Sequence, residues 1–280
     1  MSVAFIVIVI LDALLDRSLT TSSTSNEIGI VHSSIRGAPL MVLVLLLLIP
    51  AHRELAKLAA GRGLSIFTPV SLPASAVLAT AWYWRQFVDL PAGLPIPMVM
   101  AVTLLGVFLL QYLRHGTEGA IGNCGVNCLS IIYLGVLSSL VLAIRIDFGP
   151  WHLLMAVFTV KSADIGAYTI GTLFGKHKFS PKISPGKTWE GMVGALTAGA
   201  VVSVVFAGVS GIMDWWLGSI FGICFAVVGQ VGDLVESMIK RDARQKDSAN
   251  DVPGFGGVMD IIDSPLAAMP FAYVFFNLVA

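Results

Sequence analysis

The feature that most restricts this chain is a succession of long apolar stretches divided by short polar links. They run at about Pro39 to Pro50, Pro69 to Trp84, Ile96 to Leu113, Cys124 to Ile144, Trp151 to Phe174, Met192 to Val209, Trp215 to Val231 and Ser264 to Val279. Crossing the hydrocarbon core of a bilayer takes roughly 20 helical residues, so the shorter stretches need extension into their flanks. Backbone polar groups have no water to bond in that core, which leaves the helix as the form for such segments. Charged residues make up only 12% of the chain and mean hydropathy is +0.85, so water cannot be its main solvent. The expectation is an all-α, polytopic membrane protein with about eight transmembrane helices and cytoplasmic polar loops.

The placement of charge says more than its balance. Net charge is zero, which gives no nucleic-acid footprint. The loops after the first, third, fifth and seventh spans hold twelve basic residues: Arg53, Lys57, Arg62, Arg114, Lys176, Lys178, Lys182, Lys187, Lys240, Arg241, Arg244 and Lys246. The opposite set, with the N-terminal link, holds four: Arg17, Arg36, Arg85 and Arg145. The positive-inside rule therefore puts the first set in the cytoplasm. The run from Val3 to Leu15 is shorter than a span, contains Asp12 and has no basic stretch before it, so it does not read as a cleaved signal. Cys124 and Cys128 could share a helix face but have no His or third Cys at metal-ligand spacing, and packing is the expected role.

Two polar stretches are not required by membrane topology. The first begins inside the fifth span with Lys161 and Asp164, three apart on one helix face and able to pair. Gly171 and Gly175 follow as a small-xxx-small pair suited to helix packing. Lys176, Lys178, Lys182 and Lys187 could hold anionic headgroups, but Ser180-Pro181, Ser184-Pro185 and Thr188-Trp189-Glu190 favour an ordered loop. Hydroxyls, backbone N–H groups and lysines together are what a phosphate requires. The loop is not a P-loop, because the first glycine of that motif would fall at Pro181. The second stretch carries Asp233 and Ser237 one turn apart, then Lys240-Arg241, Lys246-Asp247, Gly254, Gly256-Gly257, and Asp260 and Asp263 where the last span starts. Helix capping is one reading of Asp263. Carboxylates converging from the ends of two helices could also hold Mg²⁺, a hard cation that takes oxygen ligands and leaves sites open for phosphate. Gly256 and Gly257 would let the backbone approach a nucleotide.

These residues resemble the phosphatidate cytidylyltransferase (CDP-diacylglycerol synthase) family. Its C-terminal signature is met by Ser237, Lys240-Arg241, Lys246-Asp247, Ala249, Pro253, Gly256-Gly257, Asp260 and Asp263, and its upstream pattern by Asp164, Ala167-Tyr168, Ser180-Pro181, Ser184-Pro185, Lys187-Thr188 and Glu190-Gly191. The similarity is dense from about Ile144 onward and faint before it. Phe255 stands where the family usually has His, and Ile261 where it usually has Arg.

The resemblance implies cytidylyl transfer from CTP to phosphatidic acid, with Mg²⁺ or Mn²⁺ on Asp233, Asp260 and Asp263. It implies a catalytic set of Asp233, Asp260, Lys240 and Lys187. Arg241 and Lys246 would add phosphate contacts, Ser184, Thr188 and Ser237 hydrogen bonds, and Asp164 would orient Lys161 or a second ion. The chain then divides into an N-terminal segment and polar link (1–38), an N-terminal transmembrane region (39–144) and a C-terminal catalytic transmembrane region (145–280). The expected partners are CTP, phosphatidic acid and the lipid bilayer, with no nucleic acid; a homodimer is compatible with all of this. The expected location is the inner membrane, with the active site facing the cytoplasm. The rivals are a cytidylyltransferase for another lipid phosphate or alcohol, and a transporter, since intramembrane charge also marks substrate paths. Against a transporter stand the lack of an obvious inverted repeat and the gathering of polar residues at one membrane surface.

Overall fold

A computed structural model describes residues 9–10, 12–14, 36–87, 95–245 and 257–279. Its helices are α1 (Ala38–Ala60), α2 (Thr68–Ala79), α3 (Ala81–Trp84), α4 (Pro95–His115), α5 (Ala120–Asp147), α6 (Pro150–Phe174), α7 (Trp189–Ser210), α8 (Trp215–Asp242) and α9 (Met259–Val279). Among the described residues the only extended pairing is one isolated antiparallel bridge between Lys178 and Thr188. The chain is thus an all-α, multi-pass membrane protein. Among the described residues, seven helices, α1 and α4 to α9, are long and apolar enough to cross a bilayer. The expected span from Pro69 to Trp84 is instead a pair, the 12-residue α2 and the short α3, meeting at Thr80, whose hydroxyl donates back to Ala76 O at 2.8 Å.

Several helices outrun their apolar stretches, and this positions the charged groups. Helix α1 continues past Pro50 through Arg53, Glu54 and Lys57. Helix α8 continues past Val231 through Asp233, Glu236 and Lys240 to Asp242. Helix α9 begins at Met259, so Asp260 and Asp263 lie in its first turns; Asp263 is therefore inside the helix and does not cap it.

The chain forms two compact units, Met1–Ile49 with Ile66–Pro150, and Pro50–Ser65 with Trp151–Ala280. In the first, Phe67, Leu78, Val107, Cys124 and Ile131 share a core. Cys124 is buried and Cys128 half-buried, both as free thiols. Residues Ile131–Val136 of α5 are wound as a π-helix. Polar side chains complete the backbone pairing here: Asn127 Oδ1 accepts from Phe67 N–H at 2.7 Å, just ahead of α2. Asp12 and Arg145 form a buried ion pair at 2.5 Å.

The second unit holds α6 to α9 and the end of α1. Small residues let its helices approach backbone to backbone, as membrane helices do where lipid offers no hydrophobic drive. A Cβ on Gly194 of α7 would collide with the Gly166 carbonyl of α6. Ser203 of α7 donates its hydroxyl to Gly218 O of α8 at 2.5 Å. Gly171 faces Thr188 and Gly191 at the start of α7, whereas Gly175 lies past the end of α6 and against Thr188. Aromatic stacking joins α8 to α9, with Phe221 and Phe276 ring centroids 5.1 Å apart.

Candidate active site

The loop between α6 and α7 is tied at both ends. Thr188 is the N-cap of α7, its Oγ1 accepting from Gly191 N–H at 3.1 Å. Glu190 reaches back, its Oε2 accepting from the backbone of Lys176 and His177 at 3.1 and 3.2 Å and its Oε1 meeting His177 Nδ1 at 2.6 Å. A side-chain cap and a reaching carboxylate together satisfy donors that helix ends and loops otherwise leave open. Trp189 N–H donates to His177 O at 2.8 Å, and the Phe179 and Trp189 rings lie 5.4 Å apart. Ser184 and Lys187 close the turn, with Lys187 N–H on Ser184 O at 3.1 Å. Outside it, Arg241 of α8 donates from Nε to Ile183 O at 3.2 Å.

So ordered, the loop delivers Lys187 into the space beside α8. Its Nζ donates to Asp233 Oδ2 at 3.1 Å and to Gln230 O at 3.0 Å. The other oxygen of Asp233 accepts from the Ser264 hydroxyl of α9. Asp263 Oδ1 lies 3.3 Å from that same hydroxyl and accepts from Ser264 N–H at 2.7 Å. Asp164 of α6 pairs with Lys161 at 3.5 Å, as the spacing predicts, and accepts from Gln230 Nε2 at 3.3 Å. It stands close enough to Asp233 and Asp263 to feel both charges.

A second cluster follows along α8. Lys240 Nζ lies 2.6 Å from Glu236 Oε2 and 2.8 Å from Asp260 Oδ1. Asp260 Oδ2 accepts from Gly257 N–H at 2.7 Å. The sequence pattern groups Asp233, Asp260 and Asp263 as one metal set; the structure pairs Asp233 with Asp263 across Ser264 and engages Asp260 with Lys240. Among the described residues, no three His, Cys, Asp or Glu side chains are grouped closely enough to hold an ion by themselves. Ser237 is half-buried one turn beyond Asp233. Lys246 and Gly256 lie outside the described residues, as does Phe255.

Three residues here are not singled out by the sequence pattern. Glu236 sits four before Lys240, the favourable order for a helical ion pair, and this spacing was visible. Gln230, an uncharged residue in an apolar run, gave little signal. Glu54 is buried, and its two oxygens accept from Val258 and Met259 N–H at 2.7 and 2.8 Å, closing the start of α9. Its signal was a lone carboxylate in a membrane helix, which by default suggests a role.

The donor set suits a divalent cation. Asp233, Asp263 and Ser264 offer only hard oxygen atoms, and Mg²⁺ usually takes one or two carboxylates and completes its shell with water and substrate phosphate. Across both clusters, Asp164, Asp233, Glu236, Asp260 and Asp263 face Lys161, Lys187 and Lys240.

Comparison with known proteins shows the family. The model of the Cytidylyltransferase family matches residues 20–279, well beyond the region of dense resemblance. The chain is 34% identical over 272 residues to the phosphatidate cytidylyltransferase of Haemophilus influenzae, covering 76% of this chain and 92% of that one. With the enzyme of the same name from Staphylococcus haemolyticus it shares 34% over 239 residues, 84% of this chain and 88% of the other. With that from Bacillus subtilis it shares 39% over 152 residues, 53% and 56% of the respective chains. The chain belongs to the cytidylyltransferase family.

Proposed function

We propose that this protein transfers the cytidylyl group of CTP to the phosphate of phosphatidic acid, releasing pyrophosphate and forming CDP-diacylglycerol for phospholipid synthesis. The observation that carries the reading is the bond between Lys187 and Asp233, 3.1 Å long, because it joins the two halves of the sequence signature in one polar cluster at the ends of membrane helices. A phosphate oxygen of the lipid attacks the α-phosphorus of CTP and the bond to the pyrophosphate oxygen breaks. The attacking oxygen is already anionic at neutral pH, so positioning and charge neutralisation supply the catalysis. Lys187 and Lys240 contribute fixed positive charge, and Arg241 holds the loop that presents Lys187. Asp233 and Asp263 would hold a divalent cation, with Asp164 adding to the field; when bound, the ion offsets negative charge on the phosphates. In the protein alone the Asp260 carboxylate is held by Lys240 and the Gly257 N–H.

The test is incorporation of label from CTP into lipid by protein purified in detergent. Product is expected only with both phosphatidic acid and Mg²⁺ or Mn²⁺. Equal incorporation without phosphatidic acid would point to another acceptor, and equal turnover after exhaustive chelation would exclude the metal.

The site faces the cytoplasm from the inner membrane in this reading, supported by the one-sided basic residues Lys176, Lys178, Lys182, Lys187, Lys240, Arg241 and Arg244. Cysteines introduced at Lys182 and Arg244, both exposed, are expected to resist an impermeant maleimide in intact cells and to react after lysis. Labelling from outside would invert the topology.

A further inference from the structure

We propose that Glu54 is a positioning residue for the metal-facing end of α9, a proposal resting on the reading that Asp233 and Asp263 serve a divalent cation. A helix start leaves backbone N–H groups without partners, and in an apolar setting these must be met from within the protein. Among the described residues, the side chain that takes the Val258 and Met259 donors is not a local one. Glu54, some two hundred residues earlier on α1, does so with both oxygens, at 2.7 and 2.8 Å, from a position only 1% exposed. Its charge also lies at the N-terminal, electropositive end of α9.

The consequence for the site follows from distance along the helix. Gly257 N–H, immediately before the two donors, is the group that holds Asp260 Oδ2. Asp263 and Ser264, one turn further on, meet Asp233. Fixing residues 257–259 therefore sets the register and pitch at which α9 presents both aspartates and the shared hydroxyl. Glu54 touches neither substrate nor ion; it acts through the backbone that carries them.

Glu54→Gln is the informative change. It keeps the volume and one acceptor, but turns an NH₂ toward a backbone N–H. Affinity for Mn²⁺ is read directly from the electron paramagnetic resonance of the free ion, with no substrate present. The expected result is about 10- to 100-fold weaker Mn²⁺ binding, the scale for groups that orient metal ligands. Hydrogen exchange at residues 257–264 is expected to quicken while that of α7 stays as it was. Glu54→Asp, which keeps the charge and shortens the reach, should fall between, and it carries the test should the Gln variant not fold. Faster exchange with unchanged Mn²⁺ affinity would reduce Glu54 to a structural cap and overturn the proposal. So would unchanged exchange, or an unaltered protein that binds no Mn²⁺. Mn²⁺ binding without cytidylyl transfer would instead overturn the functional reading and leave this one standing.

Discussion

Asp233→Asn is expected to lower cytidylyl transfer by about two to three orders of magnitude, the scale for removing one preorganised electrostatic group. Asp233 is the junction of the site: one oxygen accepts from Lys187 of the loop, the other from Ser264 of α9. Asparagine retains a carbonyl for Ser264, and Lys187 keeps its bond to Gln230 O at 3.0 Å, so the fold should persist. What is lost is the charge that holds Lys187 and would hold a divalent ion. The measurement is turnover across a Mg²⁺ titration beside a thermal unfolding curve in detergent. Near-normal turnover by folded protein would remove Asp233 from the chemistry.

Lys240→Met should instead act first on stability. Lys240 stands between Glu236 and Asp260, and the three side chains are only 12%, 3% and 11% exposed. Methionine fills much of the same volume but leaves two carboxylates facing one another with no cation between them. Removing one partner of a buried ion pair costs about 3–5 kcal/mol, which is a large part of the stability of a typical domain. Adding Glu236→Gln to the variant removes one of the two facing carboxylates and should restore part of the loss. Unfolding curves of the single and double variants check this. An unchanged midpoint for Lys240→Met would show that the cluster is well hydrated and that Lys240 is free to serve phosphate.

Much of this arrangement was legible in sequence because membranes punish exceptions. Apolar length gave the helices, and the few ionisable groups that broke the pattern, Lys161, Asp164 and Asp233 among them, fell into the site. Spacing along one helix also predicts contact, as the Lys161–Asp164 pair illustrates. Contacts between distant helices left no such trace. Nothing near Glu54 signals that its partners are Val258 and Met259. The spacing of Asp260 and Asp263 could not tell that they would meet different partners, because three residues along a helix turn side chains about 60° apart, and the division depended on where Lys240 and Asp233 stood on α8. Hydropathy makes one helix of the stretch from Pro69 to Trp84 because it does not register the break at Thr80.

The pairing of charges within single helices bears on how the chain enters the bilayer during synthesis. A lone charged side chain at the centre of an inserting helix costs about 2.5–3.5 kcal/mol on the translocon scale. Lys161 and Asp164 travel together on α6, and Glu236 and Lys240 together on α8, so each helix brings its own counter-charge to the membrane. Helix α9 emerges after α8 with Asp260 and Asp263 near its leading end, by which time Lys240 is already in place to receive Asp260. The order of the chain thus lets Asp164, Asp233, Glu236 and Asp260 each meet a lysine of the same or an earlier segment, and the site is completed by the arrival of α9.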